Sequence, residues 1–157
     1  MDLKFSVSIR IAKPVHEVFE AVADPAKLSA YFTTGGAKGR LETGTQVMWD
    51  FHDFPGAFPV DVVEAVTDEK IVLRWQANEG REAEGRAEQP YQTEVLMTFE
   101  PIDDNSRTLV SISEYGWHET PAGLAGSYGN CFGWSQMACA LKAWLEYGVN
   151  LREGAFE

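Results

Sequence analysis

The chain has 157 residues, 45% apolar and 12% aromatic, with 13 Lys and Arg against 24 Asp and Glu for a formal charge of −11. This is enough chain to bury one sizeable core, and its wealth of large apolar residues excludes a disordered segment. The acidic balance argues against nucleic acid, whose binding needs cations to displace counterions from phosphates, and against adsorption to anionic membranes.

Leu3, Phe5, Val7, Ile9 and Ile11 alternate with Lys4, Ser6, Ser8 and Arg10. A period of two predicts a half-buried strand. It also lacks the continuous apolar stretch of a secretory signal, and no run reaches the length of a membrane span, so a cytoplasmic protein is expected. Pro14 suits a first helical position, and Val15, Val18, Phe19 and Val22 follow at the spacing of a helix with one buried face. Asp24-Pro25 stops that helix and can cap a second one running through Phe32, with Leu28, Tyr31 and Phe32 as its apolar side.

From Gly35 the texture becomes strand-like. Strands are predicted over 38–42, 45–51, 57–66, 70–76, 91–99 and 107–115, joined by turns at 43–44, 67–69 and 103–106. Residues 52–56 read as a loop. Residues 78–90 carry Glu79, Glu82, Glu84 and Glu88 with Arg81 and Arg86, and read as a solvated, mobile tip. Consecutive hairpins of this kind pair antiparallel.

The last third is helical. Cys131, Trp134, Ala138, Leu141, Leu145 and Val149 form one stripe, which Met137 and Trp144 widen, and Gly148 can end the helix. The start lies either near Pro121, with Thr120 as cap, or near Asn130. Gly123, Gly126, Gly129 and Gly133 each weaken a helix by about 1 kcal/mol against Ala, which favours a loop over 120–130. If the segment is helical, the same glycines allow close backbone approach or leave volume for a ligand. Cys131 and Cys139, eight residues apart on one helix, stand about 12 Å apart along its axis and read as free thiols. The order is strand, two short helices, about six strands and one long helix, without repeat or linker. It predicts a single α+β domain over 1–157, with a curved antiparallel sheet of about seven strands wrapped around the C-terminal helix.

The opening Ile11-Ala12-Lys13-Pro14-Val15-His16-Glu17-Val18-Phe19, then Asp24-Pro25 and Leu28 to Phe32, resembles the start of the START-like (SRPBCC) helix-grip superfamily. Leu73-Arg74-Trp75 and Gly133-Trp134 make the chain similar to the branch named for the activator of the heat-shock protein 90 ATPase. The resemblance covers essentially the whole chain. It implies a seven-stranded antiparallel sheet gripping the last helix, with an elongated cavity between them that superfamily members use to bind lipids, hormones or polyketides, or to cyclise polyketides. Eukaryotic co-chaperones of this name carry an additional N-terminal domain, whereas here the helix-grip strand opens the chain. Chaperone contact is therefore not the leading expectation.

Catalytic templates are missing: no phosphate-cradling Gly-rich loop with Lys, no Gly-x-Ser-x-Gly, no Cys-x-x-Cys and no His-Glu-x-x-His. No cofactor and no zinc cluster is expected. Asp50, His52 and Asp53 could gather around a divalent ion, although a solvated loop before Phe54-Pro55-Gly56 accounts for them as well. Trp49 and Phe51, Leu73 and Trp75, and Met97 and Phe99 share inward strand faces. With Ile112, Trp117, Trp134, Met137 and Leu141 they are the expected cavity lining, unless they simply fill a solid core. Val110, Ile112 and Glu114 also share a face. Either Glu114 reaches the pocket end, where burial raises its pKa and makes it an acid, a base or an anchor, or the strand frays at Tyr115-Gly116 and Glu114 meets water. His118 is the one nominated proton partner for Glu114, against the plainer reading of a loop histidine in water. Arg74 should face outward and pair with acids.

The leading expectation is a non-catalytic, stress-related binding module for a small apolar molecule. Behind it stand a co-chaperone-like interaction domain and a cyclase- or dehydratase-type enzyme using Glu114 and His118. A homodimer is compatible with each.

Overall fold

The computed structural model describes residues 1–156. Strand β1 (Lys4–Ile11) is followed by helices α1 (Val15–Ala23) and α2 (Pro25–Ser29). Six strands come next: β2 (Gly36–Lys38), β3 (Gln46–Phe51), β4 (Phe54–Val66), β5 (Lys70–Gln76), β6 (Gln92–Ile102) and β7 (Arg107–Tyr115). Helix α3 (Pro121–Tyr147) closes the order. The strands form one antiparallel sheet ordered β1-β7-β6-β5-β4-β3-β2. This is the α+β helix-grip architecture that the sequence predicts, and the chain's first strand zips against its last from Lys4↔Tyr115 to Ile11↔Thr108.

Alternation sets which face is buried. Val47 and Trp49, Ile71 and Leu73, Val95, Met97 and Phe99, and Val110, Ile112 and Glu114 are all buried, while their sequence neighbours are more exposed. Register shifts between Trp49 and Phe51 and between Val62 and Glu64 bend β3 and β4, which curves the sheet toward α3. Across that concavity α3 supplies Trp134, Met137, Ala140 and Leu141. Trp49, Trp75 and Trp134 meet in sequence, with ring centroids 5.9 Å and 5.4 Å apart. Among the described residues no helix is long and apolar enough to cross a membrane.

Several local expectations need correction. Of the strand expected over 38–42 only Lys38 is in one; β2 is the shorter Gly36–Lys38, paired with Met48 to Asp50. Helix α2 ends at Ser29, and Phe32 follows in a turn whose N–H still reaches Leu28 O at 3.0 Å. The loop expected over 52–56 is only the turn His52-Asp53, because Phe54 already pairs with Phe51.

The largest correction is that α3 runs unbroken from Pro121, capped by the Thr120 hydroxyl on Gly123 N–H and ended by Gly148 at φ 67°. Packing overrides the glycines' poor propensity. A Cβ at Gly123 would lie 2.0 Å from His118 O, and one at Gly126 would lie 1.9 Å from Asn78 O. Only bare Cα atoms let the helix seat there. What it seats on is the segment 77–91, which is anchored rather than a free tip. Gly80 N–H donates to Ala122 O and Ala122 N–H to Glu84 O, both at 2.9 Å. Trp117 Nε1 donates to Asn78 O at 3.1 Å.

Candidate functional site

Between α3, the ends of β3, β4 and β5, and the segment 77–81 lies a groove of about 710 Å³. Phe51, Phe58, Trp75 and Trp134 wall it, with Phe32 behind. Phe51 and Phe58 stack at 5.9 Å and 14°, and Phe58 tilts onto Trp75 at 5.9 Å. Gly129 and Gly133 form the helix side, and a Cβ on Gly133 would meet nothing within 4 Å. Here the missing side chains leave volume, in contrast to Gly123 and Gly126 two turns earlier. A second hollow of about 530 Å³ adjoins the first and shares Phe54, Asn78, Arg81, Gly129, Gly133 and Arg152 with it.

Behind the aromatic wall sits Glu114, with no exposed surface. Its carboxylate accepts from Trp134 Nε1 at 2.8 Å, Thr93 Oγ1 at 2.9 Å, Asn130 Nδ2 at 2.9 and 3.2 Å, and Trp75 Nε1 at 3.3 Å. Asn130 and Trp134 stand at i and i+4, so one face of α3 presents both donors. These neutral donors solvate the carboxylate in place of water, and they tie β5, β6, β7 and α3 to one point. Burial pushes its pKa above the ordinary value of 4.5, while hydrogen bonds from Trp134, Asn130, Thr93 and Trp75 pull the other way.

The groove's far end is closed by the C-terminal tail. Arg152 is nearly buried and pairs with Asp53 at 2.9 Å, and Asp53 is itself buried. Its guanidinium also donates to Gln136 Oε1 at 3.1 Å and lies 4.6 Å from the Phe51 ring centroid and 5.2 Å from that of Phe156. Asp53 is thereby committed to an arginine, and Asp50 accepts from Gly56 N–H at 3.1 Å. Among the described residues no group of metal-ligating side chains gathers.

The predicted site residues divide by depth. Phe51, Trp75 and Trp134 line the groove, and Glu114 lies one layer behind. Trp49, Leu73, Met97, Phe99, Ile112, Met137 and Leu141 are buried in the packed core around Trp49 and α3. Among the described residues Trp49 Nε1 meets no acceptor, so this indole contributes apolar contact, with its ring edge-to-face on Phe32 and Trp75. Trp117 is buried against Phe5 at 5.8 Å. His118 is exposed and stacks flat on Tyr91 with centroids 3.7 Å apart; no hydrogen bond joins it to Glu114 among the described residues. Arg74 does face outward, paired with Glu94 at 2.8 Å. Sequence reasoning missed Asn130, Arg81 and the Asp53–Arg152 pair as groove groups. For Asn130 the signal was present, as an amide four residues before the inward Trp134. For Asp53 and Arg152 none exists, because 99 residues separate them.

Residues 12–146 match the family described as Activator of Hsp90 ATPase homolog 1-like protein. No curated protein matches by sequence. Among solved structures, the protein SSP2350 from Staphylococcus saprophyticus superposes with a TM-score of 0.75 at 20% identity, covering 95% of this chain and 96% of its own. The Aha1 dimer from Colwellia psychrerythraea gives 0.70 at 19% identity, over 92% and 97%. DynU16, a protein of the dynemicin biosynthetic locus, gives 0.73 at 22% identity, over 94% of this chain but 49% of its own. At these identities the likeness is one of fold.

Proposed function

As the chain belongs to the Activator of Hsp90 ATPase homolog 1-like family, we propose that it is a non-catalytic binding protein for a small, largely apolar molecule held between sheet and helix. The observation that carries this reading is the groove of about 710 Å³ walled by aromatic rings, with open space over Gly133. Rigid aromatic walls and few polar groups suit an apolar guest. Binding is favoured over turnover because Glu114 is saturated by protein donors, His118 stacks on Tyr91, and the carboxylate that lines the groove, Asp53, is paired with Arg152.

The test is a fluorescence titration with the neutral probe N-phenyl-1-naphthylamine. Wild type is expected to bind it at micromolar concentration. Gly133→Leu, which fills the empty space, is expected to weaken binding at least about tenfold without lowering the melting temperature, since Leu is also the better helix former. Equal binding by both proteins, or none by wild type, would remove the groove from consideration.

A second reading concerns self-association, supported by a different observation. Between Glu119 and Lys142 the chain carries no charged residue, in a protein of net charge −11. The outer face of that stretch exposes Leu124, Tyr128 and Phe132. A homodimer formed through α3 avoids the like-charge repulsion that other acidic surfaces would impose, and a fold neighbour is itself a dimer. Sedimentation equilibrium is expected to show a dimer that Tyr128→Glu with Phe132→Glu converts to monomer. A wild-type monomer at 100-micromolar order would end this reading.

A further inference from the structure

We infer that the groove's ligand is amphipathic, a flat aromatic body carrying an acidic group, and that Arg81 receives the acid. This rests on the groove being a binding site. Two arginines and one carboxylate line the groove. Arg152 and Asp53 neutralise each other at 2.9 Å. Arg81 is left over: among the described residues no hydrogen bond or ion pair reaches it, although the chain holds 24 acids to 13 Lys and Arg. Glu79, two residues before it, is turned instead to Tyr91 OH and Ala87 N–H, each at 2.9 Å.

Nor is Arg81 on a wandering tip. The backbone beside it is held by Gly80 N–H on Ala122 O, by Trp117 Nε1 on Asn78 O, and by the bare Cα of Gly126 beneath Asn78. The fold thus presents an unpaired guanidinium at the mouth of an aromatic slot. Trp75, Trp134 and Phe58 offer flat apolar surface to the body of a ligand, and a guanidinium fork offers paired donors to a carboxylate or sulfonate. Arg81 is exposed, so the pairing is partly screened and the expected gain is moderate and salt-dependent.

Two probes share one body and differ by the acid: N-phenyl-1-naphthylamine and 8-anilinonaphthalene-1-sulfonate. Wild type is expected to bind the sulfonate about five- to tenfold more tightly at low salt, despite the net negative charge. Arg81→Gln is expected to erase that advantage and leave the neutral probe unmoved. Arg86→Gln, on the same segment but lining neither hollow, should change neither, and 0.5 M NaCl should shrink the advantage. If the neutral probe binds wild type at least as tightly as the sulfonate, or Arg81→Gln shifts both equally, the acid assignment falls while the groove stands. If neither probe binds, both fall.

Discussion

Glu114→Ala is expected to cost about 3–5 kcal/mol and to lower the melting temperature by about 10–15 °C. The reason lies in what the carboxylate leaves behind. Two indole N–H groups, one amide and one hydroxyl point at it, from Trp75, Trp134, Asn130 and Thr93. Each buried donor without an acceptor costs about 1–3 kcal/mol. Trp75 and Asn130 border the groove and can recover water, which keeps the total below the simple sum. Glu114→Gln keeps the size and one carbonyl acceptor but sets an amide against donors, so about 2 kcal/mol is expected.

The pH dependence of that second variant carries the sign of the Glu114 shift. Burial raises its native pKa above 4.5, so the folded protein holds this proton more tightly than the unfolded chain. The associated stability is complete below 4.5 and is lost as pH climbs through the native value. Wild type therefore loses stability relative to Glu114→Gln as pH rises from acid, and the cost of the substitution shrinks toward neutrality. Glu20 and Glu94 act in the opposite sense. Hydrogen bonds from Arg40 and from Tyr115 hold their carboxyls low, and their stability is lost as pH falls. Only the difference between the two denaturation profiles isolates Glu114. A cost that grows with pH would mean that the hydrogen bonds outweigh burial.

Much of this centre was legible because it depends on short-range alternation. Once Val110 and Ile112 face inward, β-strand geometry carries Glu114 inward too, and the same rule gives β5 its bounds and Trp75 its face. Depth along the strand was not legible. Leu73 and Trp75 share a face, yet one packs in the core and the other borders empty space, because α3 crosses the sheet over the first and its glycines leave a gap over the second. The segment 78–90 misleads for a related reason. Its charges describe its outer surface, while its anchoring comes from the carbonyl of Asn78 and the indole of Trp117, which composition does not report. Asp53 and Arg152 belong together only after the sheet has curved and the helix has ended.

The glycines of α3 make that difference measurable, since one residue type on one helix is expected to give opposite signs. Gly126→Ala places a methyl 1.9 Å from Asn78 O, where backbone must move, and about 3 kcal/mol of destabilisation follows with loss of hydrogen-exchange protection in 78–84. Gly133→Ala meets only the open groove, so it gains helix propensity at no steric cost and should stabilise by up to about 1 kcal/mol in urea denaturation. If both substitutions stabilise, the start of α3 does not seat on the 77–81 segment, and the mouth of the groove with Arg81 at its rim loses its support. If both destabilise, the space over Gly133 is filled by protein rather than left for a guest. Opposite signs locate the boundary between contact and hollow within two turns of one helix, which is the boundary the binding proposal needs.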